Sequence, residues 1–326
     1  MSARKRLSRD EIEQVFNGAL SGDRRSLAQL LSVVEAGGED FEFVAPKLLA
    51  ASKGIHTIGL TGAPGAGKST LTDALIGEAL SMQRKVAVIA VDPSSPFTGG
   101  AILGDRVRLS DEHARDESVF VRSLASRGQL GGLSLAVPGM VAALDAAGWP
   151  IALVETVGVG QSEVAIAASA DTTVVVVNPG WGDEVQANKA GLLEVADILV
   201  VNKSDRPGAD ATVRDLERML HLGAARSWNP PIVKTIAAEG KGADDLWRAI
   251  NDHRAFMETS GEWEARRRNR RVVELRERLS SELLRINSDI ENNEGNDIAR
   301  QVAAGELDPA TGAAQLRTML GKRLRD

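Results

Sequence analysis

The chain has 326 residues, a formal net charge of −6, 43% apolar and 26% charged residues, only 3% aromatics with no Tyr, and no Cys. An acidic chain with few aromatics to stack on bases is not a general nucleic-acid binder, and one without Cys has no disulfide, thiol nucleophile or thiolate zinc site. Its apolar runs, such as Val174–Val177, are too short to span a bilayer, and no apolar stretch follows the basic Met1–Arg6. The expectation is a cytoplasmic protein of one large core, alone or with a smaller helical module, with no membrane and no nucleic acid among its partners.

The first fifty residues read as helix. Ser8 and Glu11 have capping-box spacing, with Leu7 and Ile12 placed as a hydrophobic staple. Ile12, Val15, Phe16 and Leu20 recur at helical spacing, and Leu27, Leu30, Leu31 and Val34 repeat the pattern in a second helix. No catalytic constellation falls here, so residues 1–54 are expected to be a helical packing module.

Between His56 and about Met257 strands alternate with helices. Short β-branched runs stand at Thr57–Leu60, Val86–Val91, Val119–Val121, Ile151–Val154, Thr173–Val177, Ile198–Val201 and Ile232–Thr235. Most lack polar alternation, as parallel strands buried on both faces do. The expected fold class is α/β, a doubly wound, mostly parallel sheet over residues 55–260, with ligand loops at the strand C-termini. From residue 261 the pattern is helical again, to residue 326. Val272, Leu275, Leu279, Leu283, Ile286 and Ile290 form a stripe beside the basic run Arg266–Arg271, which reads first as a solvated helix face and second as a surface that meets an acidic partner. A break follows at Asn292–Gly295. Asp308-Pro309 then opens a last helix as N-cap and N1, with Leu316, Met319 and Leu320 inside it. The stripe needs a partner surface, in its own chain or a second subunit.

Gly62-Ala63-Pro64-Gly65-Ala66-Gly67-Lys68-Ser69 follows the first strand run and opens a helical pattern. This is a phosphate-binding loop. Its glycines let backbone N–H groups turn inward, and the helix N-terminus adds partial positive charge. Lys68 neutralises β- and γ-phosphate charge, Ser69 offers Mg²⁺ a hydroxyl, and Thr70 lines the α-phosphate side. Asn202-Lys203-Ser204-Asp205 follows the sixth strand run. The Asp205 carboxylate can accept from guanine N1–H and its 2-amino group together, and adenine offers neither. Asn202 reaches the purine edge and braces the phosphate loop, and the Lys203 stem covers the base. Ile236-Ala237-Ala238 lies where a second base loop belongs, with a backbone N–H near Ala237 directed at guanine O6. The expected ligands are therefore GTP or GDP with Mg²⁺. The metal candidates are Ser69, Asp92, Asp105 and Glu155, some of them acting beyond direct coordination. Gly158 can bring its N–H to the γ-phosphate. The next residue, Val159, cannot orient water as a Gln does, so intrinsic hydrolysis is expected to be slow. Lys68 and Gly158 are the catalytic candidates, with Gln161 and Lys189 standing in for the missing Gln.

These residues together resemble the MeaB/ArgK/methylmalonic aciduria type A family of P-loop GTPases, chaperones of adenosylcobalamin-dependent acyl-CoA mutases. The resemblance runs along essentially the whole chain. It is carried most specifically by Val91–Ser95 through Gly104-Asp105, Arg127–Gly132, Glu155–Glu163, and Pro179–Gln186 as the family's third switch loop. It implies a homodimer built by the C-terminal helical arm, and a core in the GTPase class that includes nickel-delivery proteins. It further implies GTP hydrolysis that gates cofactor loading of a mutase and protects that mutase. The switch loop at residues 178–189 would carry the signal, and the metal site would lie at the positions of Ser69, Asp92, Asp105 and Glu155. An adenosyltransferase is a further implied partner, and no directly bound cobalamin is expected. Two departures stand out: Ile236-Ala237 replaces a frequent Ser-Ala, and Trp181 replaces a small residue. The competing reading is a P-loop kinase acting on a protein or small molecule linked to amino-acid transport, against which the guanine reader counts.

Overall fold

The computed structural model describes residues 7–93, 109–126, 132–156, 169–180, 194–222, 226–293 and 295–324. The chain divides into two compact units, Met1–Arg270 and Arg271–Asp326.

The first unit is built on seven strands: β1 (His56–Thr61), β2 (Val86–Pro93), β3 (Val119–Ser126), β4 (Ile151–Thr156), β5 (Thr172–Val177), β6 (Ile198–Val201) and β7 (Ile232–Lys234). They form one sheet in the order β3-β2-β4-β1-β5-β6-β7, and every pairing is parallel. All seven expected strand runs are therefore strands. Side-chain alternation along each strand feeds two different faces. Val174, Val176, Ile58, Leu60, Ile198 and Val200 pack with α4 (Lys68–Ser81) and α8 (Ala243–Ser260). Val175, Val177, Leu199 and Val201 pack with α7 (Ala209–Leu222). Ala87, Ile89, Val91, Ala152 and Val154 join a third cluster with α6 (Gly132–Ala146) and the N-terminal helices. Coverage on both sides is why the strands are apolar throughout.

Those N-terminal helices are α1 (Arg9–Leu20), α2 (Arg24–Ala36) and α3 (Gly38–Ala50). Ser8 and Glu11 close the expected capping box, and Ile12 is fully buried with Leu7 packed beside its cluster. The third helix carries Pro46 and was not separately legible as a periodic run. Gly139 on α6 is what lets the layer close, since a Cβ there would lie 2.7 Å from Val34 Cγ1 and 3.1 Å from Phe41 Cε2. The short α5 (Asp111–Arg115) precedes β3.

At the N-terminal edge of the sheet the structure corrects the reading of the arginine run. The helix α9 (Glu262–Asn292) begins there, and Arg266, Arg267 and Arg270 turn inward while Arg268 and Arg271 remain exposed. Arg266 grips Asp197, just before β6, with Nη1 and Nη2 at 3.0 and 2.9 Å. Arg267 donates to Asp171, just before β5, from Nε at 3.2 Å and Nη2 at 2.9 Å, and Arg270 joins it. Thr57 N–H and Thr173 N–H complete the two carboxylates at 2.9 Å each. Burial by itself would raise both carboxyls. The guanidiniums around Asp171, and His253 with Arg266 around Asp197, outweigh it and hold both below the ordinary range.

Between these pairs runs a buried chain in which Thr172 Oγ1 lies 2.8 Å from His56 Nε2 and 2.8 Å from His253 Nδ1. Burial pushes His56 from 6.5 down to about 3, against the pull of Asp171 and with a small push from Arg254, His253 and Arg267. The unfolded chain takes up this proton near the ordinary value and the folded chain does not. Stability should therefore fall as pH drops through that window, by at most about 1.4 kcal/mol per pH unit. The aspartates add to the loss at lower pH, as their depressed folded values are approached. Urea titrations at about pH 7.5 and about pH 5 check this. The wild type should unfold more easily at the lower pH, and His56→Gln should flatten the difference. An undiminished difference in the variant would assign the effect to other groups.

The second unit holds the rest of α9, then α10 (Asn296–Ala303) and α11 (Pro309–Arg323). Asp308 caps α11 with Pro309 at its start, as expected, by accepting from Ala310 and Thr311 N–H at 3.0 Å. Gly312 lets α11 close on α10, where a Cβ would lie 2.8 Å from Val302 Cγ2. Along α9, Val272, Val273, Leu275, Leu279 and Leu284 are exposed. Among the described residues no helix is long and apolar enough to cross a membrane.

Candidate nucleotide-binding site

Parallel pairing sends every strand's C-terminus to one edge. The register sets Leu60 beside Glu155, Thr61 beside Val175, Val177 beside Val201, and Val201 beside Lys234. Loops that are 62, 155, 202 and 236 residues into the chain thus emerge side by side.

Residues 62–67 link β1 to α4. Gly62 has φ +135° and lies against the backbone of Val176, whose O would sit 2.0 Å from a Cβ. Gly67, at φ +93°, is the N-cap of α4, and no side chain caps that helix. The N-terminus of α4 thus opens on a glycine rather than on a capping side chain, which is the arrangement that suits an anion. Pro64, Gly65 and Thr70 are exposed at the loop, while Ala63 and Ser69 are half-buried and Ala66 is buried. Lys68 is buried, and its Nζ donates to the carbonyls of Gly62 and, at 3.1 Å, Ala63.

The residues expected to form the base loop meet this turn directly. Asn202 is buried; its Nδ2 donates to Ala66 O at 2.8 Å, and its Oδ1 accepts from Thr235 Oγ1 and Ala237 N at 3.0 Å each. One side chain thus ties together the phosphate loop, the β6 loop and the β7 loop. A Cβ on Gly67 would lie 2.3 Å from Asn202 Nδ2, so the glycine is a condition of the junction. Lys203, at φ +55°, extends back to donate from Nζ to Gly65 O at 2.7 Å. Asp205 is exposed beyond it, and its charge, after that of Glu239, contributes to raising Lys241. Ile236 and Lys241 bridge the turn that holds the short 3₁₀ segment Ala237–Glu239. Since the N–H of Ala237 is directed to Asn202, the exposed Ala238 is the loop's next donor.

On the other side, Glu155 is buried with its two oxygens toward α4. Ser69 Oγ lies 3.3 Å from Oε1 and Thr72 Oγ1 lies 2.8 Å from Oε2. A carboxylate beside a hydroxyl at a helix N-terminus is an all-oxygen donor set of the kind Mg²⁺ accepts, so these residues fit the metal. Asp92 ends β2 on the same edge, and its side chain lies outside what is described. Asp105, Gly158, Gln161 and Lys189 also lie outside the described residues, as do Trp181 and the stretches 127–131 and 157–163. Among the described residues no three His, Cys, Asp or Glu side chains are placed to hold a metal ion by themselves. Thr72 was not singled out from the sequence. The available signal was its spacing, three residues after Ser69 and so on the same helix face.

The family model described as "Methylmalonyl Co-A mutase-associated GTPase MeaB" matches residues 27–292. The chain belongs to this family. It is similar to GTPase ArgK of Escherichia coli K12, with 39% identity over 312 residues, 90% of this chain and 92% of that protein. It is also similar to the mitochondrial methylmalonic aciduria type A homolog of Mus musculus, with 33% identity over 282 residues, 80% of this chain and 68% of that protein. The solved structure of an LAO/AO transport system kinase superposes with a TM-score of 0.71 at 29% identity, covering 97% of this chain and 100% of that one. The fold is accordingly that of an α/β P-loop GTPase, and membership makes the chain a guanine-nucleotide-binding protein.

Proposed function

We propose that this GTPase gates cofactor loading of an adenosylcobalamin-dependent acyl-CoA mutase and protects it from inactivation. The observation that carries the nucleotide half is the Asn202 junction, because a guanine reader joined to a phosphate loop couples what is bound to how the loop is held. In support of the mutase half stand the family's description, which names methylmalonyl-CoA mutase, and the mouse relative's name.

In this reading residues 62–70 and Lys68 hold the phosphates. Asn202, Lys203, Asp205 and the 236–238 turn hold the base. Ser69 and Glu155 hold Mg²⁺, with Asp92 and Asp105 as further carboxylates. When bound, that ion neutralises charge between the β- and γ-phosphates. Gly158 serves the γ-phosphate, and Gln161 or Lys189 supplies what Val159 cannot. Residues 261–326 form a dimerisation arm, whose exposed α9 side chains suit a second copy of the chain. Residues 1–54 remain a packing module, and the protein works in the cytoplasm.

GTPase kinetics with and without an apo-mutase test the proposal. The expected result is slow turnover alone and acceleration by the mutase of at least about tenfold, or about 1.4 kcal/mol of barrier. Rapid hydrolysis indifferent to every acyl-CoA mutase offered, or phosphate transfer to an amino-acid-transport component, would count against it.

A further inference from the structure

Glu155 stands at the end of β4 and Ser69 at the start of α4, 86 residues apart in sequence. Of the Ser69 and Thr72 hydroxyls beside the Glu155 carboxylate, the nearer belongs to Thr72. It is fully buried, as Glu155 is within 1%, so neither group exchanges its partner for bulk water. Its Oγ1 lies 2.8 Å from Glu155 Oε2 and 3.1 Å from Lys68 O. A hydroxyl has one proton to give, and the shorter contact to the more basic acceptor takes it.

The two hydroxyls on Glu155 differ in kind. The Ser69 contact is the longer at 3.3 Å, and Ser69 has a second use as a metal ligand. Thr72 lies deeper, with no exposed surface.

We propose that Thr72 is a positioning residue of the divalent-cation site: by donating to Glu155 Oε2 it holds the carboxylate beside Ser69, and so sets how tightly Mg²⁺ is coupled to bound guanine nucleotide. This rests on Ser69 and Glu155 being the Mg²⁺ residues. Supporting groups one step behind a metal ligand typically change metal affinity by about 10- to 100-fold when removed. Thr72→Val is close to isosteric and removes the donor alone, whereas Thr72→Ser keeps it.

The test is the release of a fluorescent GDP analogue from the full chain, followed across Mg²⁺ concentrations from excess EDTA upward. In the wild type, Mg²⁺ should slow release. In Thr72→Val the Mg²⁺ concentration giving half the slowing should rise by about tenfold or more, while release in EDTA stays as in wild type. Thr72→Ser should follow the wild type. A Thr72→Val midpoint equal to wild type overturns the proposal, as does a Thr72→Ser that behaves like Thr72→Val. A Thr72→Val change that is equally large in EDTA also overturns it, because that is a folding defect. If Thr72→Val does not fold, Thr72→Ala is read by the same criteria. A wild type whose release ignores Mg²⁺ would instead overturn the metal assignment of Ser69 and Glu155.

Discussion

Asp171→Ala should lose about 3–5 kcal/mol of unfolding free energy, the cost of breaking a buried ion pair from one side. Asp171 is 1% exposed and is held by Arg267, Arg270 and the N–H of Thr57. Removing it leaves two guanidiniums, 17% and 23% exposed, whose ion-pair partner among the described residues is gone, and an N–H at the start of β1 without its acceptor. Arg267→Met should cost less, because Arg270 still neutralises the carboxylate. The double variant should be more stable than the sum of the single losses predicts, since one of the two orphaned guanidiniums is gone. Urea unfolding followed by tryptophan fluorescence measures all three. An Asp171→Ala loss under about 1 kcal/mol would show that the charges are solvated as surface pairs are.

The second large effect is on ligand choice. Asp205→Asn should weaken GDP binding about 100-fold, through two charge-assisted hydrogen bonds to guanine N1–H and N2 worth about 1.5 kcal/mol each. Xanthine carries a carbonyl at C2 in place of the amino group, and an Asn amide can donate to it. The same variant should therefore prefer XDP to GDP. Because Asp205 is exposed, its thermal stability should match the wild type. Competition between GDP and XDP for a fluorescent nucleotide gives the ratio. Unchanged GDP affinity in a folded variant would remove Asp205 from the base site.

The strands were legible because a parallel strand buried on both faces must be an unbroken apolar run, and Thr173–Val177 and Ile198–Val201 are such runs. The caps at Ser8 and Asp308 were legible because capping is settled within three residues. The helix α3 was less so, since Pro46 and mixed burial blur its period. The arginine run was misread. Its partners lie 69, 96 and 99 residues earlier in the chain, and a basic helix segment gives no local sign of a distant aspartate.

By itself, then, the amino-acid sequence determined the strand and helix segments and the glycine turn that opens α4, and it set the expectation of a guanine-reading tetrapeptide at residues 202–205. Each is written in short-range spacing: turn glycines, caps, and periodic burial. Only the tertiary structure decided which of these segments touch. It set Asn202 against Ala66 across 136 residues, Thr72 against Glu155 across 83, and the root of α9 against β5 and β6. The physical reason is that side-chain contacts at a strand edge depend on strand order and register. Those follow from how the whole apolar surface is buried at once, and no local window contains that information.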